Sequence, residues 1–428
     1  MVTKNNIKGY QKSWNKKPHY LQGNRVLGRE NIGTHQRVDW KNLREARLDR
    51  VQGTMKKHDL DALFLTVGEN ITYATGTSDY NWKGSNGTRY ALVFQDKDPI
   101  VFETVGPDTE VVKMYCPWIK EDRLRPAITY KFTGAASDHQ LNRHVEQIRD
   151  TLSENGIDPA NKQIGVDSMD FGTYQRFQDA GVNIAGIGDA LTEIRVVKMP
   201  DEIELIKVAG AITDAAFYKM KNEWIKPGIT EREAVGKIVD FYVSNGMTTW
   251  GAIVASGTNT NPLHRFWNDK MIQQGEMVFV DIGVASYQGY GIDVTRCWPV
   301  EAAFTQKQKE VYKQCYEATY DAINAVKPGV STGDIAKTFP ECAVDDYKTC
   351  DLLQVGHSVG MGFYEGYWMS RGFSMEYPMP IKKDMVFALE TYVASPDGPA
   401  SRLEDTIVVT DDGYEVLSHA PFEREALE

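Results

Sequence analysis

The sequence predicts an α/β first domain followed by a second domain made of two similar α/β halves. Three observations lead there: the length of 428 residues, an alternation of helical and strand patterns through the first half, and a segment of the second half that repeats itself. A chain this long exceeds one ordinary compact domain and suits two, each large enough to bury its own core.

In the first half, Leu43, Val51 and Met55 recur near helical spacing, and the apolar run Ala62 to Val67 follows the polar break His58-Asp59 as a strand would. Tyr90 to Phe94 reads as another strand. Helical patterns at Leu141 to Leu152 and Tyr174 to Ala180, with the short apolar run Ile164 to Val166 between them, complete an alternating α/β arrangement. A boundary is expected near Ile194 to Pro200, where RVVKMPDE ends the apolar pattern and its acids favour the start of a long helix.

Beyond it, WIKPGITEREAV at Trp224 to Val235 is echoed 101 residues later by AVKPGVSTGDIA at Ala325 to Ala336. In each copy Pro and Gly end one helix, and Thr230 with Glu233, or Ser331 with Asp334, caps the next as a capping box. The echo predicts a pseudo-symmetric domain whose halves share a centre.

Composition narrows the function classes. No stretch approaches the roughly 20 apolar residues of a membrane span, and the N-terminus lacks the apolar core of a secretory signal, so a cytoplasmic protein is expected. Residues 1–30 carry seven Lys or Arg and one acid, a net +6, so with a total of −11 the rest of the chain carries −17, which disfavours nucleic acid. Cys116, Cys297, Cys315, Cys342 and Cys350 have no CxxC spacing and suit reduced thiols.

Chemistry concentrates in the second half. MVFVDIGVASYQGYGIDVTRCW reads as two strands joined by a turn, with Asp281 on the first and Asp293 on the second. Paired carboxylates repel each other unless a cation or trapped proton intervenes, although one of them could simply cap a turn. His357 sits between glycines in GHSVG, Glu390 interrupts the apolar strand MVFALETYV, and Glu404 stands beside Arg402 and Asp405 in SRLEDTIVVT. Each alone is weak. Together they make an oxygen-rich set of four carboxylates and one imidazole that suits Mn, Fe, Co or Zn in a paired site.

In order, spacing and flanking residues, Asp281, Asp293, His357, Glu390 and Glu404 resemble the ligands of the pita-bread metallopeptidases: methionine aminopeptidase, aminopeptidase P, prolidase and their relative creatinase. The resemblance implies a basic arm over 1–40, an α/β creatinase/prolidase-like N-terminal domain over 41–195, and an α+β pita-bread catalytic domain with internal pseudo-two-fold symmetry over 196–428. It implies that Asp281 holds one metal, Asp293 and Glu404 bridge two, and His357 and Glu390 hold the other. Two divalent ions per chain follow, manganese foremost. His264 in SGTNTNPLHRFW matches an active-site histidine that stabilises the oxyanion. Creatinase-type enzymes are usually dimers, so a homodimer is expected, with Tyr73, Tyr80 and Trp82 as candidates to cover the partner's site, although a core role suits these aromatics better.

Three departures from the peptidase pattern stand in GHSVGMGFYEGYW. Tyr364 occupies the place of a second histidine, Ser358 replaces a glycine, and the proline of the segment is absent. The Asp281 to Asp293 interval is also one residue longer than is common, which resembles the dimethylsulfoniopropionate lyases of the family. Gly283, however, stands where those lyases carry a further acid. The leading expectation is metal-dependent hydrolysis of an amide in a proline-containing peptide or peptide-like small molecule, with Glu390 shuttling the proton and His264 assisting the carbonyl. The alternatives are a lyase on a small zwitterion with Tyr364 as base, and a binding protein without chemistry.

Overall fold

The computed structural model describes residues 37–77, 89–104, 107–249, 251–339, 354–362, 364–396 and 398–428. The N-terminal arm through residue 36, Tyr80, Trp82, Cys342 and Cys350 lie outside the described residues. The chain divides into two compact units, 39–194 and 195–428. No helix among the described residues is long and apolar enough to cross a membrane.

The first unit runs α1 (Trp40–Lys57), β1 (Ala62–Leu65), α2 (Gly68–Thr75), β2 (Tyr90–Phe94), β3 (Ile100–Glu103), α3 (Pro107–Tyr115), β4 (Leu124–Pro126), α4 (Ser137–Glu154), β5 (Ile164–Val166), α5 (Phe171–Asp179), β6 (Ile184–Gly186) and α6 (Gly188–Val196). Its strands form one mixed sheet in the order β4-β3-β2-β1-β5-β6. The fully buried runs of β1, β2 and β3 explain their continuous apolar sequences, since strands covered on both faces need no alternation. Phe64, Leu92 and Ile148 sit in the core between sheet and helices. Tyr73 is buried, so it belongs to the core rather than to an exposed cover.

The second unit runs α7 (Pro200–Lys219), α8 (Glu231–Ser244), β7 (Met247–Thr248), β8 (Ile253–Ser256), β9 (Met277–Tyr287), β10 (Tyr290–Pro299), α9 (Gln306–Asn324), α10 (Thr332–Ala336), β11 (Gly356–Ser358), β12 (Trp368–Met369), α11 (Arg371–Glu376), β13 (Val386–Ala394), β14 (Ala400–Val409), β15 (Tyr414–Val416) and α12 (Arg424–Leu427). Its sheet follows β12-β11-β13-β14-β10-β9-β7, with β15 added to β14 and β8 to β9.

The two echoed segments take equivalent places. Thr230 caps α8 and Ser331 caps α10, each in a complete capping box. Gly228 N–H donates to Ile272 O, and Gly329 N–H donates to Ile381 O. Isolated bridges Thr230↔Met271 and Ser331↔Pro380 then lead into β9 and β13 respectively. Each half thus delivers a helix start and a central strand to the same sheet, which is the internal two-fold of the pita-bread fold.

Strand periodicity sorts the side chains of β14. Leu403 packs with Tyr312 and Cys315 of α9 in the core. On the same side Asp405 accepts from Arg296 Nη2 at 2.6 Å, from Tyr320 Oη at 2.9 Å and from Ser418 Oγ at 2.7 Å. Arg402 and Glu404 therefore point to the opposite face.

Candidate metal centre

Register gathers the candidate ligands on that face. Thr295 of β10 lies opposite Asp281 of β9 on one side and opposite Glu404 of β14 on the other; Glu404 lies opposite Glu390 of β13. His357 of β11 pairs with Ala388, two residues from Glu390. Directly opposed residues share a face, so these strands aim one row of groups into one space. The β9–β10 register shifts between Ile292 and Val294, where the three steps from Ile282 to Ala285 of β9 oppose two steps of β10. The extra residue lies on β9, and Asp293 shares a face with Thr295, two residues on.

Asp281, Asp293, His357, Glu390 and Glu404 are all buried. Ligand atoms of Asp293, His357 and Glu404 lie within 4.8 Å of one another. His357 Nε2 is 3.2 Å from Asp293 Oδ2, and its Nδ1 is 3.2 Å from the Ser358 carbonyl oxygen. Thr295 Oγ1 donates to Glu404 Oε2 at 2.9 Å, whereas Glu404 Oε1 and Asp293 Oδ1 are buried without a donor. Burial, and then the charges of Asp281 and Glu390, raise Asp293 well above the usual carboxylate range. Burial and then Asp293 do the same to Glu404. No other residue donates to these two oxygens, and the Asp293 and Glu404 carboxyls can offset their repulsion only by sharing a proton between themselves or by binding a cation. A divalent cation serves both carboxyls at once, so these residues fit a metal.

Asp281 and Glu390 stand apart from that trio because Arg402 joins them. Its Nη1 is 2.5 Å from Asp281 Oδ2, and its Nη2 donates to Glu390 Oε2. Burial opposes the charge of Arg402, but Asp281 and Glu390 outweigh it and hold the guanidinium firmly protonated. The sequence offered one signal for this partner: an arginine two residues before Glu404 in the same strand shares its face.

His264 sits at the rim on the loop after β8, in a left-handed conformation with φ 64°. Partial burial and then Arg402 lower its pKa, against the opposing charges of Glu390 and Asp281. Tyr364 packs edge-on against His357, with 4.8 Å between centroids, and at a tilt against Trp368, with 5.1 Å between centroids. Its hydroxyl is 3.4 Å from Gln354 Oε1, and burial followed by the negative charge of Asp293 pushes it up to about 12.

The next residue, Glu365, was not singled out from the sequence. It is fully buried, 2.8 Å from Lys198 Nζ and 3.1 Å from Arg195 Nε, and it accepts from Gly362 N–H at 2.9 Å. This buried ion cluster fixes the turn carrying Tyr364. A Cβ on Gly360 would collide with the Glu365 carboxylate, which is why glycine stands there.

Residues 204–411 match Metallopeptidase family M24 and residues 47–197 match the Creatinase/Prolidase N-terminal domain. The Xaa-Pro dipeptidase of Pyrococcus horikoshii is 30% identical over 373 residues, covering 85% of this chain and 94% of that protein. This chain belongs to metallopeptidase family M24. The M24 chain is also 23% identical to the dimethylsulfoniopropionate lyase of Roseovarius nubinhibens, across 90% of this chain and 87% of that one. Among solved structures, the prolidase of Pyrococcus furiosus superposes with a TM-score of 0.67 at 25% identity, covering 87% of this chain and all 100% of that one. An Xaa-Pro dipeptidase from Bacillus anthracis reaches 0.72 at 21% identity over 89% and 98% of the two chains. The M24 protein is accordingly a metallohydrolase similar to Xaa-Pro dipeptidases, and the cofactor class of its family is divalent metal.

Proposed function

We propose that this M24 enzyme hydrolyses the amide before proline, or before a proline-like group, in a short peptide or peptide-like small molecule. In this reading it uses two divalent ions per chain, manganese foremost, held by Asp281, Asp293, His357, Glu390 and Glu404. The observation that carries the reading is the pair of donor-less buried oxygens on Asp293 and Glu404 beside the His357 imidazole. When bound, divalent ions lower the pKa of water and act as Lewis acids toward a carbonyl.

The chain's own groups supply the rest. Glu390 takes the proton from the attacking water and passes it to the departing nitrogen. Arg402 keeps the Glu390 and Asp281 carboxylates aimed into the site. His264 donates to the substrate oxygen as negative charge develops there, a task suited to a donor at the rim. The Tyr364 hydroxyl is a neutral donor in place of a second imidazole. A homodimer goes with this reading, and sedimentation of the full chain tests it.

The deciding experiment assays the manganese-loaded protein on Xaa-Pro dipeptides, creatine and dimethylsulfoniopropionate. Release of free proline is the expected result. Acrylate release without proline release would replace hydrolysis by elimination.

A further inference from the structure

We infer that Glu231 is a positioning residue for His264, holding closed the loop that carries this histidine from a site on the neighbouring helix. The inference rests on the oxyanion role proposed for His264. Glu231 opens α8 and is completely buried. Its carboxylate accepts from both ends of one loop. Oε1 takes Ser256 N–H and Ser256 Oγ, each at 2.8 Å, while Asn259 Nδ2 donates to Oε2 at 3.0 Å and Asn268 N–H donates to Oε2 at 3.3 Å.

His264 lies between those anchor points, in a backbone conformation that a residue with a Cβ rarely adopts. A conformation of that kind persists only where its surroundings over-determine it. The helix start supplies more of this constraint, because Glu231 N–H donates to Lys270 O and Arg232 N–H donates to Asn268 O. From the other side, Tyr392 Oη donates to Thr260 O at 3.0 Å, and Asn261 Nδ2 donates to Ser395 O at 3.3 Å. Tyr392 is two residues beyond Glu390 on β13 and opposite Arg402 on β14. The loop is thus clamped between the Glu231 carboxylate and the hairpin that bears Glu390, Arg402 and Glu404. A buried carboxylate saturated with four loop donors fixes where the imidazole stands, and displacement by about 1 Å is enough to lose much of a positioned group's effect.

Glu231→Gln keeps the shape but turns an amide toward donors, which breaks one side of the clamp. The test uses the full-length, manganese-loaded protein. Hydrogen exchange should show faster exchange across residues 256–268 in the variant, with metal content unchanged. On an Xaa-Pro dipeptide, Glu231→Gln should lower kcat at least tenfold with KM altered less than twofold. In a His264→Ala background the same substitution should change kcat by no more than about twofold, because the group it positions is gone. Equal losses in both backgrounds, or unchanged exchange in 256–268, would overturn the inference. If His264→Ala alone leaves kcat unchanged, the oxyanion role fails, and with it the positioning of a catalytic group, whatever the exchange shows. If no dipeptide is turned over, the hydrolase reading fails, and the exchange result alone decides whether Glu231 holds the loop.

Discussion

Arg402 reaches from β14 to two carboxylates on different strands, Asp281 on β9 and Glu390 on β13, and lies on the same face as Glu404. It offsets part of the repulsion among four buried acids. Arg402→Met removes that charge and leaves both partners buried. Breaking a buried pair from one side costs about 3 to 5 kcal/mol. Chelated protein should lose about that much in a denaturant titration, and the stabilisation gained on adding manganese should be larger than in the wild type. An equal metal increment in the two proteins would contradict the charge-balance account.

Asp293→Asn removes the carboxylate whose Oδ1 has no donor in the structure and whose Oδ2 faces His357. Wild-type protein should hold close to two divalent ions per chain, and the variant should lose metal together with activity. Elemental analysis after gel filtration gives the stoichiometry directly. Full activity in thoroughly chelated wild-type protein would defeat both hydrolysis and elimination as metal chemistry.

His264→Ala should reduce kcat on an Xaa-Pro dipeptide by about a hundredfold or more while metal content stays the same, the loss expected for one oxyanion donor. Steady-state kinetics and metal analysis on the same sample check it. A rate within twofold of wild type would make His264 a loop residue and nothing more.

The candidate ligand set was legible in part because Asp281 and Glu390 are acids placed in otherwise apolar strands, a local anomaly visible without knowing the pairing. Glu404, in contrast, stands among the polar neighbours Arg402, Asp405 and Thr406 and was picked out by its order and spacing relative to the others. The capping boxes at Thr230 and Ser331 are likewise written in four consecutive residues each. The ion pairs of Arg402 and the roles of Glu231 and Glu365 were not read because they depend on partners distant in sequence. Glu365 meets Lys198 across 167 positions of chain, a distance at which strand register and loop path decide contact. The β9–β10 irregularity opposite Asp293 was similarly hidden, since the sequence shows the longer interval but not which strand bulges.

His144 gives the first unit an acid sensitivity. It is buried among Phe64, Tyr90, Tyr130 and Phe177, with neither ring nitrogen hydrogen-bonded, and burial lowers its pKa to about 3. The folded state keeps it neutral, whereas the unfolded chain protonates it near 6.5, so the contribution is complete above 6.5 and declines as pH falls toward 3. Between pH 7 and pH 5 this group alone should cost about 2 kcal/mol. His144→Leu should therefore flatten the stability profile over that interval relative to wild type. Parallel profiles would mean that His144 gains a proton in the folded protein as readily as in the unfolded one.

Tyr364 decides between hydrolysis and elimination. Its ring packs on His357 and Trp368, and the hydroxyl of this half-exposed side chain donates to Gln354 Oε1 at 3.4 Å. A phenol is a poor base unless something draws off its proton, since its ordinary pKa is about 10. Here burial and the neighbouring acids push it further up, which favours a neutral donor. Tyr364→His restores the imidazole of ordinary family peptidases, and the turn remains anchored through Glu365. That variant should keep or gain activity on Xaa-Pro dipeptides. Tyr364→Phe deletes only the hydroxyl, so hydrolysis should fall by about tenfold to a hundredfold if the group donates a hydrogen bond to the transition state. A lyase using Tyr364 as base would behave otherwise, because Tyr364→Phe would abolish acrylate release from dimethylsulfoniopropionate while leaving ligand binding nearly intact. Both variants should be assayed on both substrates with metal content checked. If neither changes any rate, Tyr364 serves only to pack His357, and the choice of substrate lies with other residues.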